Sequence, residues 1–119
     1  MDVRFETRED DAVDIDLGPE WQGFTETLLD AVSSRPPRGS DDACPSTYWL
    51  DRALLAVAED QDRDTGRPFL WGNATELLLL GGEVVARALY ETFDDEQMPE
   101  EEFKRILGAW RSRVVSARA

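Results

Sequence analysis

The stretch ATELLLLGGEVVARALYETF, residues 74–93, constrains the fold more than any other part of the chain. As a helix it would carry two adjacent glycines at its centre, each costing about 1 kcal/mol relative to alanine. As a hairpin it would place Gly81-Gly82 in a type I′ turn, where both central residues take positive φ and glycine does so freely. TELLLL before the pair is short enough for a buried strand. Val84, Val85, Tyr90, Thr92 and Phe93 after it are types that suit strands. Asn73 followed by Glu76 argues for the helix, because it resembles a capping box. Turn chemistry and strand propensity together favour a hairpin, with residues 75–80 pairing to 83–91.

The other elements follow from periodicity. In DVRFETREDDAVDIDL, residues 2–17, Val3, Phe5 and Thr7 alternate with charges, and so do Val13, Ile15 and Leu17. A period of two with a short polar break predicts a second antiparallel hairpin. Gly18-Pro19 then opens a helix with Trp21, Phe24, Leu28, Leu29 and Val32 on one face, ending near Ser34. The stretch SSRPPRGSDDACPS breaks helices, and residues 35–46 are expected to form a mobile surface loop. A second helix starts near Ser46 or Thr47, with Trp49, Leu50, Ala53, Leu54 and Val57 as its stripe, and stops before Gly66 and Pro68. A last helix opens at Pro99–Glu102 and buries Phe103, Ile106, Leu107, Trp110, Val114 and Val115. Acids at its start and Arg111 and Arg113 toward its end both suit the helix dipole.

The order ββ-α-α-ββ-α predicts one α+β domain over residues 1–119. Its two hairpins would form an antiparallel sheet with about three helices packed on one face. The alternative, if residues 74–93 were helical, is a mostly α protein with an N-terminal hairpin.

The charge balance limits the partners. Thirteen Lys and Arg against 26 Asp and Glu leave a formal net charge of −13. Such a surface repels nucleic acid and anionic membranes and favours either solubility alone or a basic protein partner. The charge is uneven: residues 91–102 carry seven acids and no base, whereas residues 103–119 carry five bases and no acid. No apolar run is long enough for a membrane span. The start, MDVRFETRED, lacks the layout of a signal peptide, so a cytoplasmic location is expected.

Several chemistries lack their reagents. The chain has no histidine and one cysteine, Cys44. It therefore offers no internal disulfide, no usual zinc site and no histidine-based triad. Gly81-Gly82 lacks the Lys and Ser/Thr of a phosphate loop. Asp60, Asp62 and Asp64 match positions 1, 3 and 5 of a calcium loop, but the glycine comes one place late and Trp71 stands where the closing Glu belongs. The expectation is no catalytic residue, no metal and no cofactor.

Binding residues are sought instead in acidic loops and one aromatic segment. Asp62 and Asp64, with the run Asp94, Asp95 and Glu96, are the candidate acidic contacts, because loops on a rigid scaffold commonly carry binding groups. In GRPFLWGN, Phe69 and Trp71 form the candidate apolar contact. Trp71 is expected first to anchor its loop to the core, with a partner interface as the alternative.

From residue 73 to 114, the succession of strand, glycine turn, strand, acidic linker, proline and Phe/Trp-faced helix resembles the C-terminal half of small acidic bacterial proteins. These include immunity proteins of toxin–immunity systems. The resemblance implies a small cytoplasmic binding protein, of the immunity or antitoxin type, that neutralises a basic partner such as a nuclease. A regulatory or adaptor domain is the alternative, and a carboxylate-dependent enzyme the third reading.

Overall fold

The computed structural model describes residues 1–118. Gly81 and Gly82 have φ of 58° and 78°, so the opening ambiguity resolves as a hairpin. Its strands, β4 (Thr75–Leu80) and β5 (Glu83–Ala88), pair antiparallel from Thr75↔Ala88 to Leu80↔Glu83. The second strand stops at Ala88 rather than residue 91. Leu89 N–H donates to Ala74 O at 2.9 Å, and Glu91, at φ 57°, turns the chain away.

The remaining elements are β1 (Arg4–Thr7), β2 (Val13–Asp16), α1 (Gln22–Ala31), α2 (Tyr48–Ala58), β3 (Pro68–Trp71), β6 (Glu96–Pro99) and α3 (Glu100–Arg118). A 3-10 turn at Pro19–Trp21 leads into α1. Together they make an α+β fold in the order ββ-α-α-ββββ-α, so the expected class holds with two added strands.

The expected union of the two hairpins in one sheet does not occur. β1 and β2 form their own two-stranded sheet, and the other four strands run in the order β3-β4-β5-β6. The reason is geometric: β3 and β6 occupy both edges of the β4–β5 hairpin, leaving it no free edge for the N-terminal pair. Each of these flanking strands has four residues and a proline at one end, Pro68 or Pro99. PFLW is apolar at three consecutive positions and EQMP has a single apolar core residue, so neither alternates, and proline is confined to strand ends and edges.

The core follows the pleat. Leu77, Leu79, Val84, Ala86 and Met98 point to one face of the larger sheet. There they pack with Val13 and Ile15 of β2, Phe24 and Leu28 of α1, Leu50 and Val57 of α2, and Phe103 and Trp110 of α3. Trp110 is fully buried, and its Nε1–H donates to Val13 O at 2.7 Å, joining α3 to the N-terminal hairpin. The stripe of α3 is as expected except at Val115, which is 47% exposed. Val114 already fills the last core position, and Val115 lies one helical step round from it. Leu29 and Trp21 are likewise only partly covered.

Two carboxylates fasten α1 to the larger sheet. Glu96, from β6, accepts the N–H groups of Gly23 and Phe24 at 2.9 Å each, where the helix has unpaired donors. At the other end Asp30 accepts from Asn73 N–H, Ala74 N–H and the Thr75 hydroxyl at 3.1, 2.9 and 2.7 Å. Glycines make both approaches possible. A Cβ on Gly23 would meet Glu96 Cδ at 2.7 Å, and one on Gly72 would meet the Asp30 backbone carbon at 2.8 Å.

The segment joining α1 to α2, which contains residues 35–46, has no regular secondary structure. Its two ends are tied together, since Ser46 N–H donates to Ser34 O at 2.6 Å. The buried Ser34 hydroxyl also accepts from Val13 N–H at 2.7 Å. The basic end of the chain turns to nearby acids: Arg111 bonds Asp51 of α2, and Lys104 pairs with Glu100 at 2.9 Å.

Replacing Gly81 and Gly82 by alanine is expected to destabilise the protein by about 1–2 kcal/mol per site. A Cβ there meets nothing within 4 Å, so the cost is conformational and urea unfolding should report it without a change in slope.

Asp30 generates a pH prediction. Burial alone would raise its carboxyl, but the hydrogen bonds from Thr75, Ala74 and Asn73 outweigh burial and hold it below the usual range. A depressed folded value means stability that is present above the unfolded pKa of about 4 and is lost as pH falls through the folded value. Asp30→Asn should cost about 2 kcal/mol near neutrality, as expected for hydrogen bonds to a charged group. The gap to wild type should narrow in acid, and denaturant titrations at several pH values measure it.

Candidate functional site

Two large apolar side chains left in solvent, Leu55 and Trp71, flank one groove, while Leu89, Tyr90 and Val115 are exposed outside it. α2 carries its buried stripe through Leu50, Ala53 and Val57, and this leaves Leu55 on the opposite side, 56% exposed. Tyr48, Arg52, Leu55 and Glu59 follow at i, i+4, i+7 and i+11, a second face of the same helix. β3 lies alongside and ends in Trp71, which is 65% exposed. Between them is an open cavity of about 440 Å³ with Leu55, Ala56, Pro68, Phe69 and Trp71 as its apolar lining.

The expected role of Trp71 as the core anchor is corrected here: Phe69 takes that role. Phe69 sits where the β3–β4 register shifts, and its ring meets Phe103 edge-on with centroids 6.0 Å apart. Trp71 falls opposite Glu76 in the pairing, while Leu70 falls opposite the core residue Leu77. Alternation therefore turns Trp71 to the face away from the core. Asp30 holds residues 73–75 just after it, so the end of β3 is fixed although the indole is free.

The groove is polarised along its length. Glu59, Asp60 and Asp62 line it where α2 ends, where the helix dipole is also negative. Asp60 Oδ1 accepts from Asp62 N–H at 2.8 Å, while its Oδ2 is covered and accepts no hydrogen bond among the described residues. At the other end Arg52 stands over the Tyr48 ring, 5.6 Å from its centroid, and donates to its hydroxyl at 3.4 Å.

The structure brings together three of the residues singled out in the sequence: Asp62, Phe69 and Trp71. Asp64 is placed differently. At φ 66° its N–H donates to Leu79 O at 2.8 Å, and its Oδ1 accepts from Gly81 N–H at 2.7 Å, so it ties the loop to the hairpin tip. The run Asp94–Glu96 is not one surface. Asp94 is exposed, Asp95 pairs with Arg87 at 3.2 Å, and Glu96 turns inward to hold α1. Leu55 and Arg52 were missed by sequence reasoning. Leu55 had a signal, since it is a large apolar residue off the stripe of its own helix.

Other chemistry is not gathered at this groove. Among the described residues no group of three or more His, Cys, Asp or Glu side chains is arranged to hold a metal ion. Burial, then the nearby Asp10, push the Cys44 thiol up, away from the reactive thiolate.

Two substitutions separate scaffold from surface. Asp64→Ala should lower stability by about 1–3 kcal/mol, from a lost hydrogen bond and a strained positive φ. Trp71→Ala should stay within about 0.5 kcal/mol of wild type, as exposed sites do. Paired thermal and urea unfolding curves check both.

Comparison with protein-family models, with curated proteins and with solved structures finds no match to this chain.

Proposed function

We propose that the protein is a small acidic binding protein that docks on a basic protein partner and blocks it, in the manner of an immunity or antitoxin protein. The observation that carries this reading is the exposed pair Leu55 and Trp71 over a groove whose one end is acidic. Exposed apolar side chains rimmed by polar groups mark interaction surfaces, and tryptophan is enriched among residues that dominate binding energy. The net charge of −13 supports a basic partner by raising the encounter rate and disfavouring acidic competitors. Inhibition rests on the resemblance of residues 73–114 to immunity proteins. A regulatory or adaptor domain would use the same groove without silencing an activity.

Affinity capture from source cells at low salt should recover one basic protein in stoichiometric amount. Its association rate should fall at least tenfold between about 50 and 500 mM salt, because screening shortens the reach of charge. Its own activity should be suppressed in the complex. An acidic or neutral partner whose association ignores salt would sink the reading. A basic partner that keeps full activity would leave the adaptor.

A further inference from the structure

We infer that the α2–β3 groove receives a segment of the partner in a fixed direction: an apolar side chain over Leu55 and Trp71, and a lysine or arginine toward Glu59, Asp60 and Asp62. This deepens the reading of a basic partner and rests on it.

The groove's chemistry sets the occupant. Its middle is apolar, with Leu55 and Trp71 56% and 65% exposed, so burial of an apolar side chain there is favourable. Its end at residues 59–62 combines three carboxylates with the negative end of the α2 dipole, and a cation is favoured there. The neighbouring Arg63 is already engaged with Glu100 at 3.3 Å. Arg52, held over Tyr48, makes the opposite end positive and disfavours the reverse orientation. A second copy of the chain fits poorly. Each copy carries a net charge of −13, so two of them repel one another.

Strand addition at β3 is the less favourable geometry. No hydrogen bond beyond those to β4 engages the backbone of residues 68–71 among the described residues, so the edge is open. Pro68 lacks an N–H, however, and the register shift at Pro68–Leu70 breaks the edge. Side chains, not the β3 backbone, carry the recognition.

The test uses short acetylated and amidated peptides with one central leucine pair and lysines on the C-terminal side only, on the N-terminal side only, or replaced by glutamate. Labelled protein is titrated with each and followed by amide NMR. A lysine peptide should perturb residues 55–62 and 68–71, and one lysine placement should bind at least threefold tighter than the other. Trp71→Ala and Leu55→Ser should each weaken it about tenfold with unchanged melting, and Arg52→Ala should erase the preference between placements. The glutamate peptide should bind at least tenfold more weakly.

Equal binding of the glutamate peptide would overturn both the inference and the reading of a basic partner. Lysine binding mapped to residues 91–95 would overturn the groove and leave that reading standing. Binding that N-methylation of the peptide backbone abolishes would replace side-chain recognition with strand addition. Self-association that Trp71→Ala removes would make the occupant a second copy. No binding by any lysine peptide would overturn the inference outright.

Discussion

The fold depends on two carboxylates that hold α1 against the larger sheet. Glu96 reaches in from β6 to the unpaired N–H groups at one end of the helix, and Asp30 reaches out from the other end to the β3–β4 turn. Sheet and helix are remote in sequence, and these contacts fix their register as side-chain packing alone would not. Each needs a glycine opposite it, Gly23 or Gly72, because a Cβ would occupy the space of the clamp. The second clamp also has a consequence at the surface. It anchors the chain immediately after Trp71, so a rigid strand end presents the indole to solvent. Presentation on a rigid element limits the entropy lost when a partner orders the side chain.

The charge of the chain serves more than one purpose. Part of it is spent internally, on the two clamps, on the Asp64 bond to the hairpin tip, and on pairs such as Arg8–Asp14 and Arg111–Asp51. These exposed pairs add little stability individually. What remains at Glu59, Asp60 and Asp62 lies beside exposed Leu55 and Trp71, and the proposed docking surface rests on that juxtaposition. Leu89 and Tyr90 are exposed as well, but neither lines the cavity beside Glu91, Asp94 and Asp95, and the proposed contact is therefore the α2–β3 groove.

The periodic elements were legible in the sequence because alternation and helical stripes report burial directly. The Gly81-Gly82 turn, the N-terminal hairpin, and the stripe from Phe103 to Val114 were all read from pattern. β3 and β6 were not, because neither PFLW nor EQMP alternates and each has a proline at one end, and with them went the separation into two sheets. The roles of Asp64 and Glu96 were equally hidden. An acid in an acidic loop looks the same whether it faces solvent or a backbone N–H 72 or 73 residues away, as Glu96 does with Phe24 and Gly23. Trp71 was misjudged for a related reason: a register shift at Phe69 decided which of two neighbouring aromatics would face the core. Leu55 was missed, although an apolar residue off the buried stripe of its own helix is the one sequence signal that could have marked the groove.

Hydrogen–deuterium exchange on the complex with the captured partner tests the central claim, that the α2–β3 groove is the docking surface. Slowed exchange should appear at residues 55–62 and 68–71, with the β1–β2 hairpin and residues 91–95 exchanging as in the free protein. Protection confined to either of those two regions, with the groove unchanged, would contradict it.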